Sequence, residues 1–196
     1  MREMAKLGLI LMAMSLLCAA ALGYVNALTE DRIARQKEMA VVAAMDAVSA
    51  PLGDSLVFDS LAVPGLSNPY AETGRSLAVV EVRAGGARVG YVFTAYRKGY
   101  SSVIETMVAL DPAGTIVGST ILYQSETPGL GTRYAAPEWL EQLSGLDGSS
   151  VALVRDGGGV SAVTGATVSG RAITGSVADG VSALRDAGLF RDGGAI

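Results

Sequence analysis

From Leu7 to Leu28 the chain runs 22 residues without a charged side chain. As a helix this segment would extend about 33 Å, close to the thickness of a bilayer's hydrocarbon core. It is therefore expected to be a membrane span. Ala19-Ala20-Ala21 offers a small-residue cleavage site, but the apolar run exceeds the ~7–15 residues usual for a cleaved signal, so a retained anchor is expected. A lipoprotein signal needs a small residue before its cysteine, and Leu17 precedes Cys18. Arg2 and Lys6 precede the span while Arg32, Arg35 and Lys37 follow it, so flanking charge alone does not set its orientation.

After the span, Thr29 to about Val48 is rich in Ala, Met, Glu and Arg, with Thr29-Glu30-Asp31 as a polar, acidic start. The expected element is a helix continuing the span. Residues 50–75 contain Pro51, Gly53, Pro64, Gly65, Asn68 and Pro69, breakers enough to predict an irregular stretch. Four β-like runs follow: Leu77 to Arg83, Arg88 to Tyr96, Val103 to Leu110 and Ile116 to Tyr123. Gly85-Gly86, Lys98-Gly99 and Asp111-Pro112-Ala113-Gly114 separate them, a spacing that predicts an antiparallel meander. A short helix is expected over Pro137–Leu143, a strand over Val151–Val154, and a turn at Gly157-Gly158-Gly159. In the last long segment Ile173, Val177, Val181 and Leu184 recur at helical spacing on one face, leaving Arg171, Asp179 and Arg185 to point elsewhere. The fold class is α+β, an antiparallel meander with flanking helices. The expected division is an anchor over 1–28, a helical and irregular connector over 29–76, and a globular domain over 77–196.

Composition narrows the chemistry. Of 196 residues half are hydrophobic and only 6% aromatic, which suits one domain plus an anchor. The net charge is −4 with no long basic run, so no Lys/Arg stripe is present to bind nucleic acid. There is no histidine, and Cys18 is the single cysteine. Together these exclude Ser-His-Asp and Cys-His catalysis, His-ligated zinc or haem, iron–sulfur clusters and intrachain disulfides. Any redox carrier must then be organic. No catalytic residue and no metal site is assigned.

Two segments carry candidate chemistry. Val163-Thr164-Gly165-Ala166-Thr167-Val168-Ser169-Gly170 leads into the last helix. A helix start offers unpaired N–H groups and the positive end of the dipole, and small residues there leave the backbone open to a phosphate. A hydroxyl at that point is placed to hold a phosphate covalently. The bland alternative for Thr164 and Thr167 is helix capping. The second segment, Ser125-Glu126-Thr127-Pro128-Gly129-Leu130-Gly131, follows a strand and combines a rigid low-profile loop with exposed amides. Its bland alternative is a type II surface turn. Glu126 reads either as a solvated acid or as a cofactor or ion contact. Tyr96, Tyr100, Tyr123, Tyr134 and Trp139 are packing or stacking candidates, and Arg133 is either a surface charge or an attractor for an anionic ring.

Thr164-Gly165-Ala166-Thr167 resembles the (S/T)GAT segment of the FMN-binding domain family, shared by the RnfG component of Rnf electron transport complexes and the NqrC component of the sodium-translocating NADH:quinone oxidoreductase. The resemblance implies that Thr167 carries FMN through a phosphodiester installed by a flavin transferase. The longer transferase pattern aligns with Ser161 to Thr167, and Ser161 stands where that family usually has Asp. Glu126 through Gly131 is similar to the family's ETPGLG loop, against which the flavin lies. Lys98-Gly99-Tyr100-Ser101-Ser102 is a weaker likeness to a GYGG loop, with two serines for two glycines. The implied cofactor-binding residues are Thr167, Thr164, Gly165, Ala166, Val168 and Ser169, with Glu126, Thr127, Pro128, Gly129, Leu130 and Gly131.

The implied protein is an electron-transfer subunit of an Rnf-type ferredoxin:NAD⁺ oxidoreductase coupled to Na⁺ or H⁺ movement, partnered by the complex's other membrane subunits. It would sit in the bacterial cytoplasmic membrane by a single pass, with its globular part on the extracytoplasmic side. Two rivals remain: a stand-alone flavin reductase, and a membrane-anchored adaptor with the same fold and no flavin.

Overall fold

The computed structural model describes residues 2–61 and 77–190 of the chain. The expected irregular positions Pro64, Gly65, Asn68 and Pro69 lie outside these residues, as does the segment 191–196. The chain forms two compact units, Met1–Val42 and Ala43–Ile196.

The first unit is one helix. α1 runs without a break over Arg2–Ser49, joining the expected span and its continuation. Its apolar stretch has a mean hydropathy of 2.1 and none of it is buried against protein, so by length and composition it can cross a membrane. Exposed Leu, Ile and Met along one uninterrupted helix are what a hydrocarbon surrounding accommodates, because the helix satisfies its own backbone.

The second unit is built on a five-stranded sheet in the order β1-β2-β3-β4-β5. The strands are β1 (Val57–Leu61), β2 (Val79–Ala84), β3 (Ala87–Lys98), β4 (Val103–Leu110) and β5 (Ile116–Tyr123), every neighbouring pair antiparallel. Four of them match the runs read from the sequence. β1 is a correction: Val57–Leu61 lies in the stretch expected to be irregular. It is a strand because its backbone pairs with β2 from Val57↔Arg83 to Leu61↔Val79, and five residues between breakers leave too little alternation to announce it.

Period-two alternation sends the strands' side chains to two faces. Tyr91, Phe93, Ile104, Val108 and Leu110 point to the face covered by α3 (Thr167–Asp186), where Ile173, Val177, Val181 and Leu184 are all buried. Val82, Val92, Met107 and Ala109 point to the opposite face, where Val48 and its neighbours Ala44 and Met45 at the end of α1 pack with Leu52 and Phe58. Each fully buried side chain of this size contributes about 1.5–3 kcal/mol of burial free energy. Asp179, on the side of α3 expected to point away from the core, forms an ion pair with Arg97 at the end of β3.

The β5–α3 connection is irregular but well bonded. It contains a 3-10 turn over Gly131–Ala135, α2 (Pro137–Leu140) and a further 3-10 turn over Glu141–Leu143, in agreement with the short helix expected there. The strand expected over Val151–Val154 is not formed. Leu153 makes one parallel bridge to Val160, and the chain then coils into a 3-10 turn over Val154–Asp156. The triple glycine turns the chain back after a single bridge, leaving no length for a ladder.

Candidate flavin site

The loop after β5 folds as its residues dictate. Leu130 N–H donates to the Thr127 carbonyl at 3.1 Å, closing a turn with Pro128 second and Gly129 third at φ 75°. Pro at the second position and a left-handed third residue define a type II turn. Gly129 N–H also donates to the Thr132 hydroxyl at 3.0 Å. Gly131 is required for a different reason: a Cβ there would sit 2.6 Å from the Cβ of Glu126, so the absence of a side chain lets the loop close over that acid.

Glu126 is 5% exposed, yet its carboxylate is fully bonded. One oxygen accepts the N–H groups of Ser101 and Ser102, both at 3.0 Å, and the Ser102 hydroxyl at 3.2 Å. The other accepts the Tyr100 N–H at 3.1 Å and the Ser169 hydroxyl at 2.6 Å. Burial opposes the charged form, but the Ser169 hydroxyl and the three backbone donors outweigh it and hold the Glu126 pKa below its ordinary value. Glu126 is thus an anionic pin joining the turn after β3, the loop after β5 and the first turn of α3. The two serines at 101 and 102 fit this role. Ser102 Oγ donates to Glu126 and also accepts the Ser125 N–H at 2.8 Å.

The second segment rests on an aromatic support. Tyr134 is buried, its phenol oxygen accepts the Val163 N–H at 2.9 Å, and burial raises its pKa. Trp139 meets the Tyr134 ring edge-on at 4.5 Å and donates its indole N–H to the Ser161 carbonyl at 2.7 Å. Ser161 N–H in turn donates to the Gln142 side chain at 2.9 Å. Tyr134 and Trp139 therefore pack and position; they do not stack in the site. Ala166 N–H then donates to the Val163 carbonyl at 3.1 Å, with Gly165 at φ 82° completing the turn. α3 starts at Thr167 with no side-chain cap and no acid in its first turn. The first N–H groups of the helix are therefore free of a side-chain cap and open to an acceptor, with the Glu126 carboxylate already meeting the first turn through Ser169.

These segments meet at a cleft of about 390 Å³ lined by Tyr100, Glu126, Thr127, Leu130, Gly131, Gly165, Ala166, Val168 and Ser169. Tyr100, Leu130 and Val168 are substantially exposed there, which gives the cleft apolar surfaces beside polar edges. Eight of the residues implied to bind the cofactor line it; Thr164, Thr167, Pro128 and Gly129 do not. Thr167, half-buried, is next to this lining at the start of α3. Arg133 and Tyr123 are exposed and are not among the lining residues.

Sequence reasoning missed Arg155. It lies in the 3-10 turn before the triple glycine, and its guanidinium donates to Thr167 Oγ1 at 3.0 Å. Its neighbour Asp156 binds Arg171 of α3 through both oxygens, at 2.8 and 2.6 Å. The Arg171 hydrogen bond holds the Asp156 pKa below its ordinary range. Nothing in the local sequence distinguishes Arg155 from a solvated charge; only the fold brings it to Thr167.

A cleft of this volume lies within the range of roughly 300–1,000 Å³ typical of small-molecule sites. An apolar-walled slot, an uncapped helix start and an adjacent guanidinium together fit a flat ring carrying a phosphate tail. The meander and this site define the class, an FMN-binding domain, and the family profile with that description matches residues 99–182. A second profile, described as the RnfG N-terminal region, matches residues 1–48.

The chain belongs to the RnfG family. It is 30% identical over 184 residues to the G subunit of the Na(+)-translocating ferredoxin:NAD(+) oxidoreductase complex of Acetobacterium woodii, covering 88% of this chain and 87% of that one. The G subunit of the proton-translocating ferredoxin:NAD(+) oxidoreductase complex of Clostridium ljungdahlii is 32% identical over 100 residues, covering 50% of this chain and 54% of that one. The crystal structure of Shewanella oneidensis NqrC superposes with a TM-score of 0.50 at 28% identity, covering 66% of this chain and 67% of that chain.

Proposed function

We propose that this chain is a membrane-anchored electron-transfer subunit of an Rnf-type ion-translocating oxidoreductase, carrying FMN as a phosphodiester on Thr167. The observation that carries the reading is the position of Thr167: first residue of an uncapped helix, beside a flavin-sized cleft built from two separate motif segments. Attachment forms a bond from Thr167 Oγ1 to the phosphorus of an activated FMN donor such as a flavin dinucleotide. The donor's leaving group departs with the electrons of the broken P–O bond, and the hydroxyl proton goes to the transferase or solvent. The net mass change is FMN minus water.

When bound, FMN supplies one- and two-electron redox chemistry. This chain's residues do the rest. Thr127, Gly131, Gly165, Ala166 and Ser169 would offer polar or close-approach edges to the cofactor, and Leu130 and Val168 would supply apolar surface that excludes water. Thr164, Pro128 and Gly129 act by shaping the two turns. Glu126 holds the site together through Tyr100–Ser102 and Ser169 rather than contacting the ring. A covalent tether fixes the carrier's distance to its redox neighbours, which suits a relay between subunits better than turnover of a diffusing substrate.

The apolar part of α1 supplies a single-pass anchor over 1–28, and the FMN-binding domain, expected over 77–196 after a connector over 29–76, also takes in β1 (Val57–Leu61) from that connector; it is placed on the extracytoplasmic side of a bacterial cytoplasmic membrane. The two relatives are named for different ions, one sodium and one proton, so membership of the family leaves either ion compatible with this chain. The partners are the complex's other membrane subunits and, for maturation, a flavin transferase. The test is coproduction of the full chain with such a transferase. In-gel flavin fluorescence is expected at the chain's mass in membranes and absent from Thr167→Ala; fluorescence retained by that variant would overturn the assignment.

A further inference from the structure

The turn over Val154–Asp156 places two guanidinium groups near the start of α3 in unequal situations. Arg171 is engaged bidentately by Asp156, so its charge is matched. Arg155 is exposed, and among the described residues its one hydrogen bond runs to Thr167 Oγ1 at 3.0 Å. A neutral hydroxyl is a weak partner for a cation whose planar fork carries five N–H donors suited to paired phosphate oxygens.

We propose that Arg155 is a positioning residue for the flavin phosphate, gripping the phosphodiester formed on Thr167. This rests on the reading that Thr167 carries the flavin. The oxygen that Arg155 touches is the one that becomes the ester bridge, so the two non-bridging oxygens arise two bonds beyond its present contact, across the phosphorus. A phosphodiester is a permanent monoanion at neutral pH, and a charge-assisted, two-pronged grip is stronger than the hydroxyl contact it replaces. Asp156 is the nearest acid in the same turn, and its pairing with Arg171 reduces its repulsion of an incoming phosphate. Gripping the phosphate would limit rotation about the threonine side chain and so restrict the directions in which the flavin's tail can leave Thr167.

The test compares wild type, Arg155→Gln and Arg155→Lys as full chains in detergent, coproduced with a flavin transferase, by intact mass and phosphorus-31 NMR. Arg155 is exposed and lies outside the core, so these variants are expected to fold. The wild-type phosphodiester resonance should be shifted from that of the same flavinylated peptide released by proteolysis. Arg155→Gln should move it back toward the released position and Arg155→Lys should recover part of the shift. Loss of the mass increment in Arg155→Gln with retention in Arg155→Lys would equally support a cation acting at the phosphate. Full flavinylation of Arg155→Gln with an unchanged resonance overturns the proposal while leaving Thr167 as the attachment site. Absence of the increment from wild type overturns the attachment reading itself, and this proposal with it.

Discussion

Two parts of the site, one around Glu126 and one around Thr167, are built on opposite plans. In the first, Glu126 is buried and accepts five hydrogen bonds from Tyr100, Ser101, Ser102 and Ser169. In the second, Thr167 is half-buried, the helix start above it has no side-chain cap, and an exposed guanidinium rests on its hydroxyl. The first part has satisfied its polar groups internally and serves as architecture. The second keeps solvent-accessible donors, an exposed guanidinium and a helix start without a side-chain cap, which an anion can engage. The acid and the hydroxyl both look functional in sequence; in the structure the acid lines the cleft while bonded to its neighbours, and the hydroxyl stands beside the cleft at the helix start.

That difference is testable through stability. Glu126→Ala should have the largest effect, about 3 kcal/mol of destabilisation in chemical unfolding, because it removes the shared acceptor of three part-buried N–H groups and of the buried Ser169 hydroxyl. An effect below about 1 kcal/mol would show that the pin is not structural. The pH dependence carries the same signature. Because folding lowers the Glu126 pKa from its ordinary 4.5, its contribution is fully present above that value and is lost as pH falls through the folded-state pKa. Thermal melts of wild type should therefore lose stability below about pH 4.5, while Glu126→Gln shows a shallower acid limb from a lower starting point. Ser169→Ala, which removes one of the five donors, should cost about 1–1.5 kcal/mol. Thr167→Ala should fall within about 0.5 kcal/mol of wild type by the same measurement, even though it removes the attachment oxygen. Smallest in stability is Ser161→Asp, expected to leave unfolding unchanged because the Ser161 side chain is exposed and the contacts to Trp139 and Gln142 run through its backbone. By restoring the transferase pattern it should raise the flavinylated fraction at short induction times, read by intact mass.

What the sequence made legible follows from the range of the forces involved. Alternation over six to twelve residues bounded by glycine and Asp-Pro turns located β2 to β5, and helical spacing located the buried face of α3. β1 was hidden because a five-residue edge strand takes its identity from its partner β2. Val151–Val154 misled for the converse reason, Val151 and Leu153 being buried in a coil that makes one bridge while Val154 is exposed. The motif segments at 126–131 and 164–169 were visible as chemistry, and the fold brings eight of their residues around one cleft. The role of Glu126 was not visible, since its donors converge from a turn about 25 residues away in sequence. Arg155 was invisible for the same reason: a charged residue in a short exposed turn has no periodicity, and only tertiary contact gives it a target.

The central claim is tested most directly by mapping the modified peptide. Trypsin cleaves after Arg155 and Arg171, releasing a peptide that contains Ser161, Thr164, Thr167 and Ser169 together. Fragmentation of that peptide, from full chain coproduced with a flavin transferase, should place an FMN-minus-water increment on Thr167 alone. An increment on Thr164 or Ser169, or a peptide without one, would contradict the account.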